Sequence, residues 1–157
     1  MGYNLSNRSK ARLEGVHPFL VYTINEAIKT SPDDFGIPMY GGLRTSADQQ
    51  KLYEKGRTDE SIAKGEKPVT YTDGINKKSK HQIKDGYGLA FDIYIYDHAT
   101  SKASWNIERL TNVAIHIIKT SEVVKDKNPQ YKDMVINWGG NWKRFKDYPH
   151  FQIEFIK

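Results

Sequence analysis

The sequence predicts one α+β domain spanning residues 1–157, with an antiparallel sheet and helices packed on one side. Three observations predict it. A length of 157 residues suits a single core and leaves little room for a second module. Two segments alternate with the period of a half-buried strand. In the first, Leu89, Phe91, Ile93 and Ile95 oppose Gly88, Ala90, Asp92, Tyr94 and Tyr96; in the second, Phe151, Ile153 and Phe155 oppose His150, Gln152 and Glu154. Two further segments repeat apolar residues at helical spacing, Leu20, Ile24, Ala27 and Ile28, then Ile107, Leu110, Ala114, Ile117 and Ile118.

Taken in order, Ser6 or Ser9 caps a short helix through Leu13, which Gly15 and Pro18 interrupt. Pro18 suits the first position of the next helix, and Ser31-Pro32-Asp33-Asp34 stops it. Ile37 to Leu43 reads as a strand that delivers Arg44 to a strand-to-helix corner. Thr45 and Ser46, with Gln49 three residues after Ser46, resemble a capping box for a helix to about Lys55. The polar stretch Gly56 to Lys80 is too long for an idle connection and is expected to wall a substrate groove. After the Gly88 to Tyr96 strand, Asp97 to Ala103 forms a turn and Ser104 caps a helix to about Lys125. A charged loop to Asp133 precedes a short strand, Met134 to Trp138. Gly139-Gly140-Asn141-Trp142 is a turn that must approach something closely, and His150 to Ile156 closes the sheet.

Composition narrows the function. The chain has no cysteine, so any metal must be held by histidine and carboxylate. The net charge of +5 is spread along the chain, without the clustered basic face and interleaved aromatics of a nucleic-acid binder. It suits approach to an anionic polymer. No apolar run nears the length of a membrane span, and the N-terminus lacks the apolar core of a signal peptide. A monomer made in the cytoplasm without stable membrane insertion is expected, with another agent releasing it.

The two alternating strands also carry chemistry. If they lie side by side, Asp92 and His150 converge on the face opposite the core, and His81, at the mouth of the loop entering the first strand, supplies a third group. Two imidazoles and a carboxylate suit Zn2+ with a fourth position open to water. His17, His98 and His116 have no comparable partners and read as structural. Trp138, Trp142 and Phe145 read as core and rim ahead of the alternative, a sugar-stacking platform, and Lys77, Lys78, Lys80 and Lys84 as a solvated loop that, near the site, could also meet acidic substrate groups.

These elements resemble the zinc peptidases of the D-alanyl-D-alanine carboxypeptidase type, in particular their L-alanyl-D-glutamate endopeptidase branch of phage endolysins and wall hydrolases. The resemblance runs through Gly15-Val-His-Pro18, Asp34-Phe-Gly36, Gly42-Leu-Arg-Thr45 and Gln49-Gln50. It continues through Ser79-Lys-His81, Gly88-Leu-Ala-Phe-Asp92, Trp138-Gly-Gly-Asn-Trp142 and Asp147-Tyr-Pro-His150-Phe-Gln152. It implies that His81, Asp92 and His150 are zinc ligands, Asp147 the general base and Arg44 the donor to the carbonyl oxygen under attack. Ser79 is then placed to bind a substrate carboxylate or orient the site. It also implies cleavage of peptidoglycan stem peptides by a phage endolysin, with no separate wall-binding module. Two rivals remain: a D-alanyl-D-alanine carboxypeptidase or dipeptidase, and a non-catalytic zinc-binding wall-recognition domain. The interval from His81 to Asp92 exceeds the family's usual one by several residues, which are expected to form a bulged loop turning at Asp85-Gly86.

Overall fold

The structure, a computed structural model, describes residues 2–156. The first helix, α1 (Asn7–Arg12), begins where Ser6 Oγ accepts the Ser9 N–H at 3.1 Å. Helix α2 (Pro18–Ile28) opens with Pro18 in its first turn, and His17 caps it by accepting the Phe19 N–H on Nδ1. The long helix α5 (Ile107–Lys127) packs against α2. Its cap is Asn106 and not Ser104, because the chain before it continues as the short strand β6 (Lys102–Ser104), where a turn alone is expected. The helical stripes meet as predicted: Leu20, Ile24 and Ala27 of α2 and Leu110, Ala114 and Ile117 of α5 are all buried.

The α+β class holds, but the strands divide into three antiparallel groups. Strand β4 (Ala90–Asp92) pairs with β8 (His150–Phe155), which pairs with β7 (Met134–Trp138). Strand β5 (Tyr94–Asp97) joins β1 (Phe35–Gly36) and β6. The predicted strand from Gly88 to Tyr96 is therefore interrupted at Ile93, where the chain changes partner. Asp92 lies opposite His150, Tyr94 lies opposite Gly36, and the Ile93 N–H between them reaches the Pro149 carbonyl at 3.0 Å. The alternation survives the break, since Leu89, Phe91, Ile93 and Ile95 are all buried. Across β4 and β8 the rings of Phe91 and Phe151 stack at 4.8 Å, anchoring the pair to the core.

The third group is a two-residue hairpin, β2 (Ile83–Lys84) with β3 (Tyr87–Gly88). Its turn residues Asp85 and Gly86 both have positive φ, 53° and 93°, as a primed hairpin turn requires. The extra residues between His81 and Asp92 are accommodated there, away from the strand that carries Asp92.

Residues 37–43, expected as a strand, are irregular. Pro38 lacks an N–H, Gly41 donates back to the Pro38 carbonyl, and Tyr40 takes φ +64°. Gly42 passes so close to α1 that a Cβ would stand 1.8 Å from the Arg12 carbonyl oxygen. Arg44 is thus delivered by a loop to the start of α3 (Ser46–Glu54). The capping box there pairs Thr45 with Asp48, one residue ahead of the expected Ser46 and Gln49. The segment 56–80 holds one short helix, α4 (Asp59–Ala63), and is otherwise irregular. Within it the Asp73 carboxylate accepts the N–H groups of Ile75, Asn76 and Lys77, which hold its pKa down to about 2.

Candidate active site and metal centre

The site grows from the β4–β8 pair. Because Asp92 and His150 are direct cross-strand neighbours, their side chains leave the same face of the sheet. His81 enters from the loop before β2, held by the Leu89 N–H on the Lys80 carbonyl and by the Arg44 N–H on its own carbonyl. The three groups converge as expected, each offering one ligand atom within 4.8 Å of the others. His81 Nε2 lies 3.2 Å from His150 Nδ1 and 3.4 Å from Asp92 Oδ1, and His150 Nδ1 lies 3.0 Å from that same oxygen.

The outer edge of each imidazole fixes what the inner edge can do. His81 Nδ1 meets the Gly42 carbonyl at 2.9 Å, so this nitrogen carries the proton and Nε2 turns a lone pair inward. The Gln152 amide nitrogen donates to Glu154 at 2.6 Å, which leaves the amide oxygen to face His150 Nε2 at 2.8 Å. His150 Nε2 must then be the protonated nitrogen, and Nδ1 turns its lone pair inward. Three electron-rich atoms facing one another at 3.0–3.4 Å require a positive charge between them. Ligands bound about 2.0–2.1 Å from a tetrahedral zinc stand about 3.3 Å apart, so the donor set fits the ion.

Electrostatics agree with that demand. Burial pushes His81 down, towards the neutral imidazole a metal needs. Burial also opposes charge on His150, but Asp92 outweighs it and pushes His150 up, so an incoming cation must displace a proton from Nδ1 before that lone pair is free to ligate. Burial alone would raise Asp92, yet the two imidazoles hold it well below the usual carboxylate range.

Arg44 braces the same carboxylate. Its Nη2 donates to Asp92 Oδ2 at 3.0 Å, its Nη1 to Gln49 Oε1 at 3.0 Å and its Nε to the Tyr40 carbonyl at 2.6 Å. A guanidinium carries five N–H groups, so these three bonds leave two uncommitted. Gln49, fully buried, in turn donates to Thr70 Oγ1 and to the carbonyl and hydroxyl of Thr72, tying the 56–80 segment to Arg44. Ser79 Oγ accepts the His81 N–H at 3.2 Å and so steadies the ligand loop while its own O–H stays free to donate. Next to it, Lys78, Lys80, Lys84 and Ile83 line a cavity of about 530 Å³.

Asp147 stands at the open edge, three residues before His150. The protein around its carboxyl and the neighbouring Asp92 charge push its pKa up. Its backbone is fixed by Gly139, whose carbonyl accepts the Asp147 N–H; a Cβ on Gly139 would meet the Asp147 carbonyl oxygen at 2.3 Å. The predicted close approach of the Gly139-Gly140 turn is therefore an approach to Asp147. Trp142 lies beside the site, its ring 5.4 Å from that of His150, whereas Trp138 is buried with its Nε1 on the Tyr148 carbonyl.

Sequence reasoning did not single out Gln49, Gln152 or the Gly42 carbonyl. Gln152 had a readable signal, since it follows His150 by two residues and shares its face of the strand. Gln49 showed only as a helix-start residue and Gly42 only within its motif, because the partners that tie them to the site wall and to His81, namely Thr70 and Thr72 for Gln49 and His81 for Gly42, lie far along the chain. The structural reading of His17, His98 and His116 agrees with their contacts: His17 caps α2, His98 pairs with Asp34 and His116 bonds Thr30 and the Ala27 carbonyl.

The chain is 31% identical over 142 residues to the peptidoglycan L-alanyl-D-glutamate endopeptidase CwlK of Bacillus subtilis, covering 88% of this chain and 73% of that one. The crystal structure of the L-Ala D-Glu endopeptidase ChiX of Serratia marcescens superposes with a TM-score of 0.68 at 25% identity, covering 98% and 91% of the two chains. The family model described as phage L-alanyl-D-glutamate peptidase matches residues 1–156, and the chain belongs to that family.

Proposed function

We propose that this chain is a zinc-dependent peptidoglycan endopeptidase that hydrolyses the L-alanyl-D-glutamate bond of stem peptides and serves as a phage endolysin. The observation that carries the reading is the meeting of His81 Nε2, His150 Nδ1 and Asp92 Oδ1 with both outer imidazole nitrogens already committed. When bound, zinc supplies Lewis acidity at this point, polarising a carbonyl and lowering the pKa of water to about 7.

The chain's own residues supply the rest. Asp147, set at the rim by Gly139, takes the proton from the attacking water and returns it to the leaving amine. The two uncommitted N–H groups of Arg44 face the charge that develops on the carbonyl oxygen, and its bond to Asp92 keeps the guanidinium in place. The Ser79 hydroxyl receives a carboxylate of the stem peptide. One catalytic domain suffices for this chemistry. Among the described residues no helix is long and apolar enough to cross a membrane. The endolysin reading therefore assigns passage across the inner membrane to a separate agent.

Metal analysis paired with mass-spectrometric mapping of muropeptide digests tests the reading. The wild type is expected to hold one zinc per chain and to release new D-glutamate amines, and His150→Ala to lose both. New carboxyl termini at D-alanine alone would favour a carboxypeptidase. Full activity after chelation would overturn the metal.

A further inference from the structure

Two large aromatic residues beside the site are not explained by packing. Tyr71 is 66% exposed and Phe145 71% exposed, although their rings touch at 4.9 Å with a 48° tilt. Phe145 also adopts φ +54°, a conformation that bulky side chains rarely take and that no burial offsets here. Strain and exposure together mark the ring as presented outward.

Both rings are attached to the site machinery. Thr70 and Thr72, which flank Tyr71, bond Gln49, and Gln49 bonds Arg44. Phe145 stands two residues before Asp147 on the other wall. The contact therefore joins the wall behind Arg44 to the wall that carries the base, closing a ring of contacts through Asp92 and His150. Cations surround the pair: Lys143, Arg144 and Lys146 are exposed beside Phe145, and the Arg57 guanidinium lies 6.0 Å from the Tyr71 ring.

Resting on the endopeptidase reading above, we infer that Tyr71 and Phe145 form a sugar-stacking subsite that seats the glycan end of the substrate. The chemistry of the bond dictates such a neighbour. The L-alanine that provides the scissile carbonyl is joined through its nitrogen to the lactyl group of a muramic sugar, so a pyranose ring lies one residue from the reacting atoms. The apolar face of a pyranose suits an exposed aromatic ring, and the surrounding cations suit a polymer bearing free carboxylates.

The test compares two probes, an N-acetylated L-Ala-D-Glu stem tetrapeptide and the same peptide carrying its disaccharide. The wild type should show a higher kcat/KM on the sugar-bearing probe. Tyr71→Ala and Phe145→Ala should each lower the ratio of kcat/KM on the sugar-bearing probe to that on the bare peptide by about tenfold, equivalent to about 1.4 kcal/mol. Phe145→Tyr and Tyr71→Phe, which keep a ring, should retain the preference. Equal losses on the two probes, or no loss on either, overturn the subsite while leaving the endopeptidase reading intact. Cleavage of neither probe by the wild type overturns that reading and the subsite with it.

Discussion

Removing the Gln152 amide should weaken zinc binding without touching a ligand. Gln152 Oε1 accepts the His150 Nε2 proton at 2.8 Å and is kept in that orientation by the 2.6 Å bond from its amide nitrogen to Glu154. In Gln152→Leu the imidazole loses the partner that fixes its tautomer, so the inward Nδ1 is protonated for part of the time and a nearly buried N–H is left unpaired. Loss of such an outer partner costs about 10–100-fold in metal affinity, or about 1.4–2.8 kcal/mol. Competition with a chromophoric chelator measures it directly. The control is the exchange Gln152→Glu with Glu154→Gln, which keeps an acceptor beside His150 and reverses the 152–154 bond, the amide at 154 now donating to the carboxylate at 152. It should bind zinc within a few-fold of wild type. Unchanged affinity in Gln152→Leu would refute the argument that the outer bond sets the inner lone pair. A loss in the double exchange as large as in Gln152→Leu would do the same.

Asp147→Asn should keep zinc while kcat falls by about 10²–10⁴, the range of a lost general base; a variant with undiminished turnover would remove Asp147 from that role. Because the Asp147 pKa is raised above 3.8, the wild-type rate should fall with decreasing pH at a higher pH than an ordinary aspartate gives. For the same reason the ionised carboxylate opposes folding at neutral pH, so Asp147→Asn should melt at or above the wild-type temperature at pH 7. Thr23 is buried, and among the described residues its hydroxyl has no hydrogen-bond partner. Thr23→Val keeps its shape and should gain about 1 kcal/mol, read as a rise of about 2–4 °C in Tm. Gly139→Ala forces a Cβ to within 2.3 Å of the Asp147 carbonyl oxygen; activity should fall more than zinc affinity, since the turn carries the base and not a ligand.

How much of this was legible in the sequence depended on the range of the forces involved. The convergence of Asp92 and His150 was readable because strand alternation puts both on faces opposite their apolar neighbours, and that pattern is local. The Asp85-Gly86 turn was readable because few residue pairs tolerate two positive φ values. The interruption at Ile93 was not, since alternation is blind to which strand lies alongside, and only Gly36 and Pro149 reveal the change of partner. Residues 37–43 looked like a strand by their apolar ends, while Gly42 was answering to a close crossing over Arg12 and Gly41 to a tight turn back onto Pro38. Strand β6 is too polar and too short to announce itself. The cap of α3 was missed by one residue because Thr45 with Asp48 and Ser46 with Gln49 both satisfy the sequence rule, and only backbone geometry chooses between them.

Under the proposed function, the direct opposition of Asp92 and His150 would make the ion a proofreader of the fold. Slippage of β8 against β4 by a single residue would bring Phe151 or Pro149 opposite Asp92 and turn the imidazole away. A misaligned chain cannot hold the cation, so metal uptake selects the correct alignment from its near competitors and adds its binding energy to that state alone. Maturation and activation of the enzyme then become one event, and protein folded in the presence of the ion should arrive already competent.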